Sequence, residues 1–295
     1  MIQRKIYFIY LPEIGKFGAT YIRFIYALPF TFLIFIFWFY ILDNSIPELN
    51  EKAILYCFVG ALCQVLFTLL LISCSPLKKY QATAAKWEKD IIKLENLDKS
   101  ENYSENAILF IGSSSIIGWR TMEKDMFPYE TIKRGYGGAH YTDIIHFTKR
   151  LVNNHNPKAI LIFVANDIKG NNKSDIYSKN LPDRKPKEVK RLFKLVIHQI
   201  RSIHAEIPIF AIETTPTRSR WIAWPEISLA NDLIMKYCDS KENLFYVSTR
   251  DYFIAKNGLP TEEFFIKDKL HLNKKGYKLW AEIIKNSLKP VVSHN

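Results

Sequence analysis

The sequence predicts an α/β domain in which about five parallel strands lie between two layers of helices, preceded by a two-helix transmembrane hairpin. Three observations predict it. Short apolar stretches alternate with stretches of helical spacing from about residue 106 onward. One of them, AILIFVA at 159–165, is apolar at every position, as a parallel strand covered on both faces requires. Ahead of the alternation stand two uncharged runs of nineteen residues (24–42) and twenty-three residues (53–75). Each is long enough to cross roughly 30 Å of hydrocarbon as a helix.

In chain order, 1–23 form a basic flank with Arg4, Lys5, Lys16 and Arg23. The connection between the two runs, DNSIPELNEK, carries Lys52 against Asp43, Glu48 and Glu51, whereas Lys78, Lys79, Lys86, Lys89 and Lys93 follow the second run. This distribution predicts an integral membrane protein with both ends cytosolic; an extracytoplasmic domain is the alternative. Residues 76–105 are polar with sparse apolar positions and read as a juxtamembrane helix and linker, leaving 106–295 as the domain proper.

Within that domain, AILFIG (107–112) reads as a strand and TIKRG (131–135) as a shorter one. YTDIIHFTKRLVNNH (141–155) has helical spacing, and 159–165 is the buried strand. KEVKRLFKLVIHQIRSIH (187–204) is amphipathic with a 3.6-residue period, followed by a strand at 208–213 and a helix at 225–238. A last strand at 244–248 and a helix at 274–289 complete the alternation. In such a sheet, functional groups gather at the carboxyl ends of the strands. The polar clusters Ser113–Ser115, Gly135–Gly138, Asn166–Asp167 and Thr214–Arg220 each follow a strand, and Asp268 and His271 follow the last.

The chain carries a net charge of +12, most of it beyond residue 75. For a tethered domain this favours anionic membrane lipids as a partner. Nucleic acid is not expected, because no helix-turn-helix, zinc or RNA-binding signature is present. Cys57, Cys63 and Cys74 lie in the second apolar run and Cys238 stands alone afterwards, so no disulfide is expected in the domain. His140, His146, His155, His198, His204 and His294 show no metal-ligand spacing, and neither metal nor cofactor is expected.

The chemistry-bearing residues are few. Asp268 and His271, three apart, can hold one imidazole nitrogen as N–H and leave the other free to take a hydroxyl proton. The run Gly112-Ser113-Ser114-Ser115 at a strand end offers a hydroxyl that such a base would activate, though a turn or helix cap explains serines equally well. It lacks the second glycine of the G-x-S-x-G elbow. Glycines in RGYGGAH (134–140) permit positive φ and leave a backbone N–H open to an anion, while the dinucleotide pattern fails because His140 stands where a glycine is needed. Asn166 offers a side-chain amide to the same anion.

Together, in the order Ser, Gly, Asn, Asp-x-x-His, these residues resemble the SGNH (GDSL-like) hydrolase superfamily over roughly 106–289, and look like a membrane-anchored bacterial-type esterase or acylhydrolase subgroup. The resemblance implies a three-layer α/β/α, flavodoxin-like fold. It implies Ser114 as nucleophile, Asp268 and His271 as orienter and base, and an oxyanion hole of Ser114 N–H, Gly138 N–H and the Asn166 amide. Ser113 stands where the family usually has Asp, and Val164 where its third block usually has Gly. The implied activity is ester hydrolysis. The membrane tether and basic surface favour lipid or lysolipid esters, and Arg218, Arg220, Trp221 and Trp224 are candidate pocket residues whose arginines would meet a phosphate or carboxylate. A carbohydrate O-acetylesterase or acyltransferase of the same fold is the runner-up. A non-catalytic, membrane-tethered binding module is the alternative of another class.

Overall fold

The computed structural model describes residues 59–60, 62–66, 76–170 and 182–292. The chain divides into two compact units between Lys78 and Lys79. In the first, 59–60 and 62–66 are helical, and Val59, Leu62, Val65 and Leu66 are exposed. The apolar run at 24–42 and the rest of the run at 53–75 lie outside the described residues. Among the described residues, no helix is long and apolar enough to cross a membrane.

The second unit opens with two helices, α1 (Gln81–Ala85) and α2 (Glu88–Ser100), and then alternates strand and helix. Strand β1 (Ile108–Gly112) runs into the short helices α3 (Ser114–Gly118) and α4 (Met122–Met126). Then come β2 (Thr131–Gly135), α5 (Tyr141–Val152), β3 (Ala159–Phe163), α6 (Pro186–Arg201) and β4 (Ile209–Ile212). A 3-10 segment, Arg218–Ala223, leads into α7 (Trp224–Cys238), β5 (Leu244–Val247), α8 (Arg250–Phe253) and α9 (Lys274–Leu288). The five strands form one parallel sheet in the order β2-β1-β3-β4-β5. The chain winds one way from β1 to β2 and the other way from β3 onward, so the sheet's switch point lies between β1 and β3.

Alternation along each strand sorts the core into two faces. Leu109, Ile111, Ile160, Ile162, Ile209 and Ala211 meet Ile144, Phe193, Val196 and Ile234 of α5, α6 and α7. Ile108, Phe110, Leu161, Phe163 and Phe210 meet Met122 and Met126 of α4 and Trp280, Ile284 and Leu288 of α9. Both faces being covered explains why β1 and β3 read as unbroken apolar runs. Each such side chain removed from water stabilises by roughly 1.5–3 kcal/mol.

Four residues of the segment read as a juxtamembrane helix and linker belong to this core. Tyr80, Ala84, Trp87 and Ile91 are all buried, a stripe at helical spacing laid on the α5 side. On the outer face of α2, Glu88 and Glu95 both bind Arg150 of α5, at 2.7 Å each. Arg134, fully buried on β2, is met by Asp98 and Glu101. Glu88, Glu95 and Asp98 of α2, with Glu101 just beyond its end, thus satisfy two arginines that the sheet and α5 present.

Candidate active site

The serine run is placed by an unusual turn. Gly112 ends β1 with φ +146°, a value that L side chains rarely adopt. A Cβ there would lie 1.9 Å from the Phe163 carbonyl oxygen, so β1 and β3 approach as only glycine allows. Ser113 N–H then donates to that carbonyl at 2.9 Å, and Gly112 O accepts from Tyr136 N–H at 3.0 Å. Ser113, buried, is the N-cap residue of α3, and Ser114 is the first helical residue. The Ser114 N–H, like any N–H in a first helical turn, has no acceptor within its own helix.

Asp268 and His271 sit in a tight loop rather than a helix. An isolated bridge between Phe265 and Leu272 closes it, Ile266 N–H donates to His271 O at 2.9 Å, and Lys269 takes φ +55°. Asn273 pins the loop to α9. Its Oδ1 caps the helix through Lys275 and Gly276 N–H, while its Nδ2 donates to the Glu263 and Phe265 carbonyls. Asp268 Oδ1 accepts from the backbone of Leu270 and His271, at 2.9 Å each, and its Oδ2 meets His271 Nδ1 at 2.6 Å. Partial burial would raise the Asp268 carboxyl, but the His271 ring bond and the two backbone N–H bonds outweigh it and hold the pKa below its ordinary value. Asp268 is therefore a carboxylate at neutral pH, and His271 Nδ1 carries the proton it accepts. His271 Nε2 then faces Ser114 Oγ at 2.9 Å, across 157 residues of chain.

Gly138 and Asn166 come from the two neighbouring strand ends. Gly138, at φ +78°, lies under the Trp87 ring, which a Cβ would meet at 3.0 Å. Asn166 Nδ2 donates one hydrogen to Ala139 O at 2.9 Å, tying the loop after β3 to the loop after β2. Asp167 makes a second tie: its Oδ2 accepts from Tyr141 N–H at the start of α5, at 2.9 Å. Burial pushes the Asp167 carboxyl up to about 6, with the nearby His140 ring acting in the opposite direction.

That shift has a sign that can be measured. The folded-state pKa exceeds the ordinary 3.8, so folding favours the protonated acid. The associated stability is fully present below about pH 4 and is lost as pH rises through about 6. At 1.36 kcal/mol per unit, the loss is roughly 3 kcal/mol. In Asp167→Asn this slope is expected to vanish, so denaturant unfolding across pH 4–6.5 should move the variant-minus-wild-type difference in the variant's favour by about that amount. Parallel stability curves would contradict the assignment.

Beside Ser114 lies a small cavity of about 30 Å³, room for roughly two waters. Ser114, Asn166, Arg220 and His271 line it, together with Thr214, Thr215 and Thr217 of the polar cluster after β4 and the unanticipated Phe163, Phe265 and Trp280. The threonines follow β4, so the strand-end rule points to them, whereas Phe163 and Trp280 read in the sequence only as core. Of the four expected pocket residues, Arg220 alone is in this lining. Arg218 turns to Pro260 O at 3.0 Å and to Glu262. Trp221 and Trp224 stack on each other at 5.9 Å, with Arg250 over the Trp224 ring.

Ser114 and Asn166 thus flank the switch point at the carboxyl edge of the sheet, and Asp268 and His271 reach Ser114 from the loop before α9. Gly138 lies in the loop after β2 that the Asn166–Ala139 bond ties to the loop after β3. The arrangement is chemically capable of activating a serine hydroxyl beside amide donors. Comparison with known proteins agrees with the fold and with ester hydrolysis. Residues 81–284 match the family model described as GDSL-like Lipase/Acylhydrolase. No curated protein matches. A Streptococcus pneumonia structure, described provisionally as a platelet activating factor, is 17% identical with a TM-score of 0.55, covering 77% of this chain and 99% of its own. A GDSL-like lipase from Bacteroides thetaiotaomicron is 15% identical at 0.55, covering 68% and 97%. An acetyl xylan esterase is 18% identical at 0.50, covering 62% and 99%. At these identities the structural likeness speaks for the fold; the family match, spanning well over half of the chain, shows that this protein is an ester-hydrolysing enzyme of the GDSL-like lipase/acylhydrolase family.

Proposed function

We propose that the protein is a membrane-anchored serine hydrolase that cleaves lipid or lysolipid esters through an acyl-enzyme on Ser114. The observation that carries the serine chemistry is the continuous hydrogen-bonded chain Ser114 Oγ, His271, Asp268, at 2.9 and 2.6 Å. His271 Nε2 takes the Ser114 proton as Oγ attacks the ester carbonyl. The carbonyl π pair moves onto oxygen, and the oxyanion is met by the N–H groups of Ser114 and Gly138 and by the second Asn166 Nδ2 hydrogen. The imidazolium returns its proton to the leaving alcohol as the C–O bond breaks. Water, deprotonated by the same ring, then resolves the ester on Ser114 and regenerates the hydroxyl.

Anchoring by the runs at 24–42 and 53–75 is supported by their length and lack of charge, and a lipid substrate by the placement this gives the domain. The Lys and Arg distribution supports a cytosolic domain, and a reporter fused to the C-terminus reads the side directly. Among the proposed donors, Asn166→Ala is expected to lower kcat by about 10²–10³-fold with little change in KM, measured by steady-state ester hydrolysis. An unchanged kcat would remove Asn166 from the oxyanion hole.

A second reading, a carbohydrate O-acetylesterase or acyltransferase, is favoured by the size of the cavity beside Ser114, about 30 Å³, which suits an acetyl group better than a long acyl chain. One experiment tests both. A fluorophosphonate is reacted with the full-length enzyme, the labelled peptide is mapped, and lysophospholipids and acetylated sugars compete for labelling. Label on Ser114 with lysolipid protection is the expected result. Protection by acetylated sugars alone would move the substrate to the second reading, and label on Ser113 or Ser115 would overturn the nucleophile.

A further inference from the structure

Asn166 does not stand alone at the edge of the cavity. Arg220, 54 residues away on the 3-10 segment, donates from Nη2 to Asn166 Oδ1 at 2.8 Å, and its Nη1 donates to the carbonyl of Ala165. Arg220 breaks the helical geometry of its segment (φ −118°, ψ 17°), and its side chain lines the same cavity as Ser114 and His271. The Asn166 amide is thereby gripped at both ends. Its oxygen faces a guanidinium, which only donates, and its nitrogen faces the Ala139 carbonyl, which only accepts. Rotation by 180° would place donor against donor and acceptor against acceptor. One Nδ2 hydrogen remains uncommitted.

We infer that Arg220 is a positioning residue for the oxyanion hole: its guanidinium fixes and polarises the Asn166 amide, leaving a single oriented N–H for the developing negative charge. The inference rests on the donor role of Asn166 in the proposed reaction. Two physical effects combine. A cation bonded to an amide oxygen draws electron density from the amide nitrogen and strengthens the bond its N–H donates. A positive charge one residue behind the oxyanion also acts directly in a site with little water, where fields are poorly screened. Burial lowers the Arg220 pKa to about 10, against the pull of Asp183 and Asp167, so the guanidinium remains charged at neutral pH. The two bonds from one side chain to consecutive residues hold the loop after β3 in register with the cavity.

The test is a double-mutant cycle on a small neutral ester, p-nitrophenyl acetate, using the full-length enzyme. Arg220→Ala is expected to lower kcat by on the order of 10–100-fold, less than the full loss of one oxyanion donor, with KM within about twofold. Arg220→Lys, which keeps the charge and one donor to Asn166, is expected to recover part of that loss. The same Arg220→Ala change in an Asn166→Ala background is expected to cost almost nothing further, because the residue it acts through is gone. Equal losses in both backgrounds, or a loss confined to KM, would overturn the inference and make Arg220 a substrate-binding residue. Either result leaves Ser114-dependent turnover of the wild type, and with it the proposed function, untouched. A readout independent of turnover is the structure of Arg220→Ala, in which the Asn166 amide is expected to leave Ala139 O; an unmoved amide overturns the inference.

Discussion

Replacing Ser114 by alanine is expected to lower kcat for ester hydrolysis by on the order of 10⁶-fold and to abolish fluorophosphonate labelling. The reasoning is geometric. Ser114 Oγ is the hydroxyl that His271 Nε2 reaches, at 2.9 Å, and without it no acyl-enzyme forms. Residual turnover above the uncatalysed rate comes from the amide donors, which a water molecule can still use. His271→Ala is expected to cost a similar factor, and the double variant no more than either single one, because nucleophile and base act as a unit. Ser113→Ala and Ser115→Ala are the controls. Ser113 is buried beneath the turn, and Ser115 offers its carbonyl to Tyr277 OH at 3.0 Å. Both are expected to keep kcat within a few-fold. Loss of labelling in Ser113→Ala, with Ser114→Ala still labelled, would reverse the assignment.

The second large effect concerns stability. Gly112→Ala is expected to destabilise the fold by about 4 kcal/mol or more, at the extreme of single substitutions. Two costs add. The alanine must hold φ near +146°, and its Cβ must fit 1.9 Å from a main-chain oxygen of the neighbouring strand. The obstacle is backbone, so no rotamer relieves it, and β1 has to separate from β3 at the switch point. Denaturant unfolding should show a marked fall in midpoint, and what folds should lose labelling because Ser114 moves with the turn. A shift under 1 kcal/mol would mean the turn relaxes freely. By contrast, Gly137→Ala meets nothing within 4 Å and serves as the matched control.

How much of the fold and the site is legible in the amino-acid sequence varies by element, for physical reasons. β1 and β3 are readable because both faces are covered, so every position is apolar. α6 is readable because one face is buried over four turns, with Val189, Leu192, Phe193, Val196 and Ile200 inside. Helices α3 and α4 are five residues each, too short for a period to declare itself. Residues 80–91 mislead because their buried stripe is one residue in three or four, diluted by lysines that face solvent. Asp268-x-x-His271 is visible as spacing, but the loop that presents it depends on the Phe265–Leu272 bridge, a pairing that no local pattern encodes. The contact of Arg220 with Asn166 joins two loops through tertiary packing alone. What sequence cannot supply is orientation: Arg218, Trp221 and Trp224 lie within six residues of Arg220 yet turn elsewhere.

Asn273, which caps α9 while holding the loop of Asp268 and His271, has a consequence for when the enzyme comes alive. The sheet edge bearing Ser114 precedes in the chain, by 157 residues, the ring that faces it. The loop is fastened to α9, whose Trp280, Ile284 and Leu288 must seat on the sheet before the ring has a fixed address. Until α9 seats on the sheet, the ring that faces Ser114 has no fixed position, so esterase activity is expected to act as a stopwatch for the docking of one helix.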